Sequence, residues 1–232
     1  MKFVKKLMLG DRACKIVSES VVLDLTSPGR AVFCIQADSA ETGTPVRFFL
    51  GFDGTAELWF TGYVESVRKL DAQQLRITAR EFSAVLSRRW TLSQRHTSAR
   101  RVLEELSDRT GAAFRLGDSA EWADAPIPYF FNIGSGFSIL ELIGRHLRIA
   151  DFVWRGQPDG SVYVGSASEL AGAGSTLAIP ERFFTGVTAT GADCACLPAL
   201  RPGRRLRIGG METVRIESIT LAGAKMRLGF GD

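Results

Sequence analysis

Two histidines, His96 and His146, are all that this 232-residue chain possesses, and that scarcity thins the catalytic possibilities at once. No glycine-rich phosphate loop, nucleophile elbow, paired-histidine zinc helix or EF-hand spacing occurs in it. Its Asp and Glu residues are dispersed, without a spacing that predicts a glycosidase pair. The four cysteines, at 14, 34, 194 and 196, form no convincing framework. Cys194-Ala195-Cys196 could offer two thiolates to a metal, but no second Cys/His pair lies near it, so buried or incidental thiols are expected. Long apolar runs are also missing. Residues 48–52 and 130–133 are among the longest, and both are far too short to span a bilayer. The opening Met1-Lys2-Phe3-Val4-Lys5-Lys6-Leu7-Met8-Leu9-Gly10 is cut off by Asp11 and Arg12, which predicts a first structural strand and a cytoplasmic product rather than a signal peptide. What remains is an ordinary globular composition, 45% hydrophobic and 23% charged. The net charge of +4 permits contact with nucleic acid without demanding it.

A short pattern occurs twice. Val64-Glu65-Ser66-Val67 is followed, after a polar turn, by Leu75-Arg76-Ile77-Thr78-Ala79, and Ile216-Glu217-Ser218-Ile219 is followed by Met226-Arg227-Leu228-Gly229-Phe230. The alternation in each second segment reads as a half-buried strand with an Arg on the wet face. Val64 and Val67, like Ile216 and Ile219, are three residues apart, whereas an unbroken strand repeats its faces every second residue. A bulge or bend is therefore expected at Glu65-Ser66 and again at Glu217-Ser218. The pair reads as a duplicated small β-module.

The rest of the chain fits around this duplication. Beta-leaning runs fall at residues 15–25, 30–36, 46–52, 56–70 and 73–80, with Asp53-Gly54 as a tight hairpin turn. In residues 58–64, Leu58, Phe60 and Val64 are expected on one face and Trp59, Thr61 and Tyr63 on the other, with the outer face available to another layer or subunit. Two helices follow. Thr97 or Ser98 caps the first, whose apolar positions are Ala99, Val102, Leu103 and Leu106 and whose end is Gly111. For the second, Ser138 and Glu141 are read as a capping box, Phe137 and Leu142 as its staple, and Ile139, Leu142, Ile143 and Leu147 as the buried stripe. Residues 126–133 read as extended, and Pro158-Asp159-Gly160 as the turn of a hairpin. Ala171-Gly172-Ala173-Gly174-Ser175 reads as a linker. The fold class expected is α+β, mainly β: a first β-barrel module over 1–92, an α/β unit with two helices and a hairpin over 93–167, and a linker and second β-barrel module over 168–232.

Arginine clusters at 88, 89, 95, 100 and 101, and at 201, 204, 205 and 207, are read as solvated faces or subunit salt bridges. Only Trp90 interleaves the first cluster, which is little for nucleic-acid stacking. His146 reads as a partly buried polar side chain. His96 stands before the first helix among arginines.

The arrangement resembles the baseplate hub proteins of bacteriophage tails, a family that includes the late-control D proteins and the base of the type VI secretion spike. The resemblance is carried by Phe60-Thr61-Gly62-Tyr63-Val64-Glu65-Ser66-Val67, the strand from Leu75 to Arg80, and Arg100-Arg101-Val102-Leu103-Glu104-Glu105-Leu106. Ser138-Ile139-Leu140-Glu141-Leu142-Ile143, Leu200-Arg201-Pro202-Gly203 and Ile216-Glu217-Ser218-Ile219 complete it, in that order. It implies a structural, non-enzymatic hub of the virion tail, assembled in the host cytoplasm as a homotrimer whose six barrels adapt a hexameric tube to a threefold tip. Implied partners are the tail tube or distal tail protein, the tape-measure protein, and a separate tip, spike or fibre protein, the last because this chain is short for the family. DNA would pass the lumen without specific contact, and no membrane span, metal, cofactor or catalytic residue is implied. Two other classes stay open: a hydrolase-type enzyme with a site around His96 or His146, and a basic nucleic-acid-binding β-module, whose affinity would fall steeply with salt.

Overall fold

The computed structural model describes residues 2–170 and 174–231. Six strands come first: β1 (Phe3–Leu9), β2 (Arg12–Asp24), β3 (Arg30–Gln36), β4 (Pro45–Phe52), β5 (Thr55–Lys69) and β6 (Gln74–Glu81). They pair in the order β1-β4-β5-β6-β3-β2, and β1 also pairs with β2, so the ladder closes into a six-stranded barrel. Closure removes the sheet edges along those pairings. The interior is filled by alternating residues such as Leu7, Phe33, Ile35, Phe48, Leu50 and Ile77, all fully buried. Asp53 and Gly54, at φ of 51° and 88°, make the tight turn between β4 and β5.

A 3-10 turn at Phe82–Ser87 leads to β7 (Leu92–Thr97), α1 (Ala99–Thr110), β8 (Phe114–Leu116), β9 (Ile127–Asn132) and α2 (Gly136–His146), then to the hairpin of β10 (Phe152–Gly156) and β11 (Val162–Ser166). These elements bury a core of their own around Leu86, Leu106, Ile127, Ile139, Ile143 and Val164. The Ser98 side chain caps α1 by accepting from Arg101 N–H, and Gly111, at φ 73°, ends it.

Six strands finish the chain: β12 (Leu177–Ile179), β13 (Phe184–Thr185), β14 (Gly191–Ala195), β15 (Arg205–Ile208), β16 (Val214–Ala222) and β17 (Lys225–Gly231). Their order, β12-β15-β16-β17-β14-β13, is the permutation of the first six strands. The duplication is thus one of topology and not only of a motif. The two copies differ at the start, because β12 runs parallel to β15 where β1 runs antiparallel to β4. Among the described residues no pairing joins β12 to β13, so the second copy is an open ladder. The copies are joined by β2 against β16, and one apolar core runs through both.

The expected bulges lie where the phase change placed them. Register shifts between Val64 and Ser66 in one hairpin and between Ile216 and Ser218 in the other, leaving Glu65 and Glu217 unpaired. The turn bonds match as well. Gly43 N–H donates to Val64 O at 2.7 Å and Val64 N–H to Thr44 O at 2.9 Å; Gly203 N–H donates to Ile216 O at 2.6 Å and Ile216 N–H to Arg204 O at 3.0 Å.

Three expectations are corrected. A further bulge lets Phe60 pair with Phe48 and Leu58 with Phe49, so Trp59 is the extra residue and Leu58 does not share the face of Phe60. Trp59 joins the core instead of an outer face. In α2 the cap is Ser135, which accepts from Ser138 N–H at 3.2 Å, one turn before the expected capping box. Gly136 can start that helix because it lies against the 3-10 turn, where a Cβ would come within 2.9 Å of Leu86 Cβ. The earlier start and a rotated face bury Leu140, with Ile139 and Ile143, and leave Leu142 and Leu147 half-buried. The linker at 171–175 lies outside the described residues for Ala171, Gly172 and Ala173.

Candidate assembly site

The first barrel, the α/β unit and the second ladder meet around one buried acid. Glu81 ends β6 with its carboxylate accepting from Gly29 N–H at 2.7 Å, and only 8% of the residue is exposed. Two glycines make the space. A Cβ on Gly29 would lie 2.7 Å from Glu81 Cδ, and one on Gly156, at the end of β10, 2.5 Å from Glu81 Oε2. Burial pushes the Glu81 pKa up to about 7, against the pull of Gly29 N–H, Arg155 and Arg201. Both arginines are tied to backbone carbonyls rather than left to solvent. Arg155, buried on β10, donates to Pro202 O in the second ladder, and burial lowers its pKa. Arg201 donates to Trp59 O and, at 3.2 Å, to Leu58 O across the first barrel. Its guanidinium lies 4.9 Å from the Trp59 ring centroid, a cation–π arrangement that a planar guanidinium suits. Burial, and then Arg155, lower the Arg201 pKa. Beside this junction Leu25, Val153, Tyr163, Ala167 and Leu170 form a small apolar cluster with one member from the first barrel and the rest from the α/β region.

The junction explains why the outer side of β5 is covered within the chain. Tyr63 packs its ring 6.2 Å from that of Phe82, and Thr61 Cγ2 approaches Gly160 in the β10–β11 turn. An open groove of about 1000 Å³ runs along this seam, past Tyr63, Phe82 and Gly111. It carries Arg88 and Glu65 on its walls, but neither histidine lines it.

His146 is exposed at the end of α2, contrary to the partial burial expected, because the rotated helix turns Leu140 inward. His96 is exposed in β7 at φ 49°. The structure brings neither to a cluster: among the described residues no group of three His, Cys, Asp or Glu side chains is placed to hold a metal. Cys194 and Cys196 are buried, and burial raises their thiols to about 11 and about 12, which leaves them protonated and inert. Of the second arginine cluster, Arg205 and Arg207 are exposed while Arg201 turns into the junction, a role its charge alone did not signal. In the first cluster Arg100 pairs with Asp124 at 2.7 Å, and Arg88, Arg89, Arg95 and Arg101 are exposed.

One group of apolar side chains stands together in the open. On β9 and just after it, Tyr129, Phe131 and Ile133 are 52%, 51% and 61% exposed, and the first two rings stack with centroids 6.3 Å apart. Val17 on β2, Leu70 after β5 and Phe183 before β13 are exposed singly, at 50%, 47% and 51%. A stacked aromatic group in the open is characteristic of a contact surface, whereas single exposed apolar residues are ordinary. No helix of the described chain is long and apolar enough to cross a membrane.

No protein-family model matches the chain. An uncharacterized 58.7 kDa protein of Haemophilus phage HP1 is 28% identical over 203 residues; the match takes in 88% of this chain and 38% of the phage protein. The chain therefore spans well under half the length of that relative. Among solved structures, the 43 kDa tail protein of prophage MuSo2 from Shewanella oneidensis superposes with a TM-score of 0.73 at 10% identity, covering 99% of this chain and 98% of that one. An E. coli component of the type VI secretion system, described as structurally similar to the T4 tail proteins gp27 and gp5, gives 0.70 at 12% identity, over 97% and 76%. The fold is that of phage tail proteins and of this type VI secretion component, as the resemblance implied.

Proposed function

We propose that this chain is a structural hub of a phage tail, in which three copies form a ring of six related β-modules. The ring adapts a hexameric tube to a threefold tip and leaves a lumen through which DNA and the tape-measure protein pass. The observation that carries this reading is the repeated strand permutation within one continuous sheet. Two equivalent ladders per chain give three chains a pseudo-sixfold face, and ring closure removes open edges. The division into modules at 1–92, 93–167 and 168–232 follows from the same reading, with the middle unit outside the ring. The likeness to tail proteins, and the phage origin of the sequence relative, support a place in the virion tail. The tail tube or distal tail protein, the tape-measure protein and a tip or fibre protein are its proposed partners. The exposed, dispersed positions of His96 and His146 favour a non-enzymatic role over a hydrolase.

Labelled electron microscopy of purified particles tests the assignment. Density for this protein at the distal end of the tail is expected. Label found only in the host lysate, with none on tails, would refute it.

A further inference from the structure

The first arginine cluster has little aromatic company along the chain, and the fold supplies it. Where β7 pairs with β9, Ser93 faces Phe131 and Arg95 faces Tyr129, and a bridge from Arg89 to Ser135 continues the pairing past the strand ends. Directly opposed residues share a face of the sheet, so Arg89, Ser93 and Arg95 stand beside Tyr129, Phe131 and Ile133. Ser93 Oγ accordingly lies 3.2 Å from Tyr129 OH. The other face is anchored, with Leu92, Phe130 and Asn132 buried and Asn132 Nδ2 donating to Trp90 O at 2.9 Å. All of these outer residues are exposed, and none of positions 89, 91, 93, 95, 129, 131 and 133 is acidic. Among the described residues neither the Arg89 nor the Arg95 side chain has an ion pair or a hydrogen bond.

The aromatic residues also carry an unpaired strand edge. Trp90 N–H donates to Gly134 O at 2.8 Å and Gly136 N–H to Arg88 O at 3.3 Å, which makes Leu92 with Asn132, and Gln94 with Phe130, the bonded pairs between them. The N–H and C=O groups of Tyr129 and Phe131, and the N–H of Ile133, therefore point away from β7, and among the described residues no strand lies on that side. Charge selects what fits there. A second copy would bring the same unpaired arginines against each other, and a nucleic acid has no backbone series of donors and acceptors to match the edge. We propose that the open edge of β9 takes up an extended acidic segment of another protein as a third strand. Main-chain bonds to Tyr129 and Phe131 would hold it, and every second side chain would lie beside the exposed rings and Ile133. Arg89 and Arg95 stand two strand spacings away, about 10 Å, a gap that an arginine and a glutamate side chain close together above the rings. The rings then supply contact area and the arginines select an acidic partner. This site belongs to the middle unit and does not depend on the ring.

Fluorescence polarisation with labelled probes tests this on the full chain. The probes are a peptide alternating glutamate with valine, the same peptide methylated on every backbone nitrogen, which keeps its charges and loses its donors, and oligothymidylate. The first is expected to bind at least tenfold more tightly than the other two. Arg89→Glu together with Arg95→Glu should weaken that binding at least tenfold. Arg205→Glu together with Arg207→Glu, an equal change of charge at exposed positions on the second ladder, should leave it unchanged, with circular dichroism confirming that both variants fold. Equal binding of the methylated peptide would overturn strand addition, and tighter binding of oligothymidylate would overturn the peptide as occupant. Equal losses in the two double variants would reduce the effect to net charge and overturn the site, as would no binding of the acidic peptide at all.

Discussion

Glu81 shows what burial does to a carboxylate that two arginines only partly compensate. Its pKa rises from 4.5 to about 7, so between those values the folded chain holds a proton that the unfolded chain has released. Stability conferred by the neutral acid is present at low pH and declines as pH rises through that window. Glu81→Gln stays neutral and can still accept from Gly29 N–H, so it should lack this slope. Thermal melts at pH 5 and pH 8 are expected to show wild type losing ground to the variant by on the order of 2 kcal/mol, or a few degrees in Tm. Parallel melts would mean that Arg155 and Arg201 keep Glu81 ionised throughout. The same residues explain why the junction is specific: each arginine is spent on carbonyls of a different module, which no apolar substitute could satisfy.

Between elements, the two copies of the module permit an internal comparison. Gly43 and Gly203 occupy equivalent turns at φ of 82° and 86° and make equivalent bonds. Around Gly43 a Cβ would meet open space, whereas around Gly203 it would lie 2.5 Å from Leu170 Cδ1 and 3.2 Å from Leu25 Cδ1. Gly43→Ala is expected to cost about 1 kcal/mol, the strain of a left-handed alanine. Gly203→Ala should cost roughly 2–4 kcal/mol, because it also displaces the cluster that ties the modules together. Urea denaturation of both variants measures the difference, and equal losses would show that the packing around Gly203 yields freely. The contrast also marks where duplication ended: one turn stayed a surface loop while its counterpart became part of a joint.

For the whole molecule, the continuous core through β2 and β16 implies that the two ladders unfold together, while the α/β unit has a core of its own. Hydrogen exchange should find the amides of 20–24 and 218–222 equally slow, as members of one cooperative unit. The outward amides of Val67 and Lys69, which no strand covers among the described residues, should exchange quickly. Fast exchange at β2 and slow exchange at β16 would mean that the junction opens by itself. Slow exchange at 67 and 69 in a verified monomer would mean that something within the chain covers that edge.

Much of this architecture was legible in the residues, and the reasons are local. Apolar alternation placed the strands of the first barrel, Asp53-Gly54 placed a turn, and the three-residue spacing of Val64 with Val67 and of Ile216 with Ile219 placed both bulges, because each of these signals is set by neighbours along the chain. Ser98 and Gly111 marked α1 for the same reason. The start of α2 is not legible locally, because Gly136 looks unsuited to a helix until Leu86 is seen against it. The face of Trp59 is equally hidden, because its bulge depends on pairing with β4 and leaves no period of its own. Nothing near Glu81, Arg155 or Arg201 in sequence brings them together, since they lie on separate modules. Closure of one ladder and the openness of the other depend on which strands meet, and the β2–β16 junction joins strands more than a hundred residues apart. Local sequence determined the modules and their duplication; long-range pairing alone decided how they join.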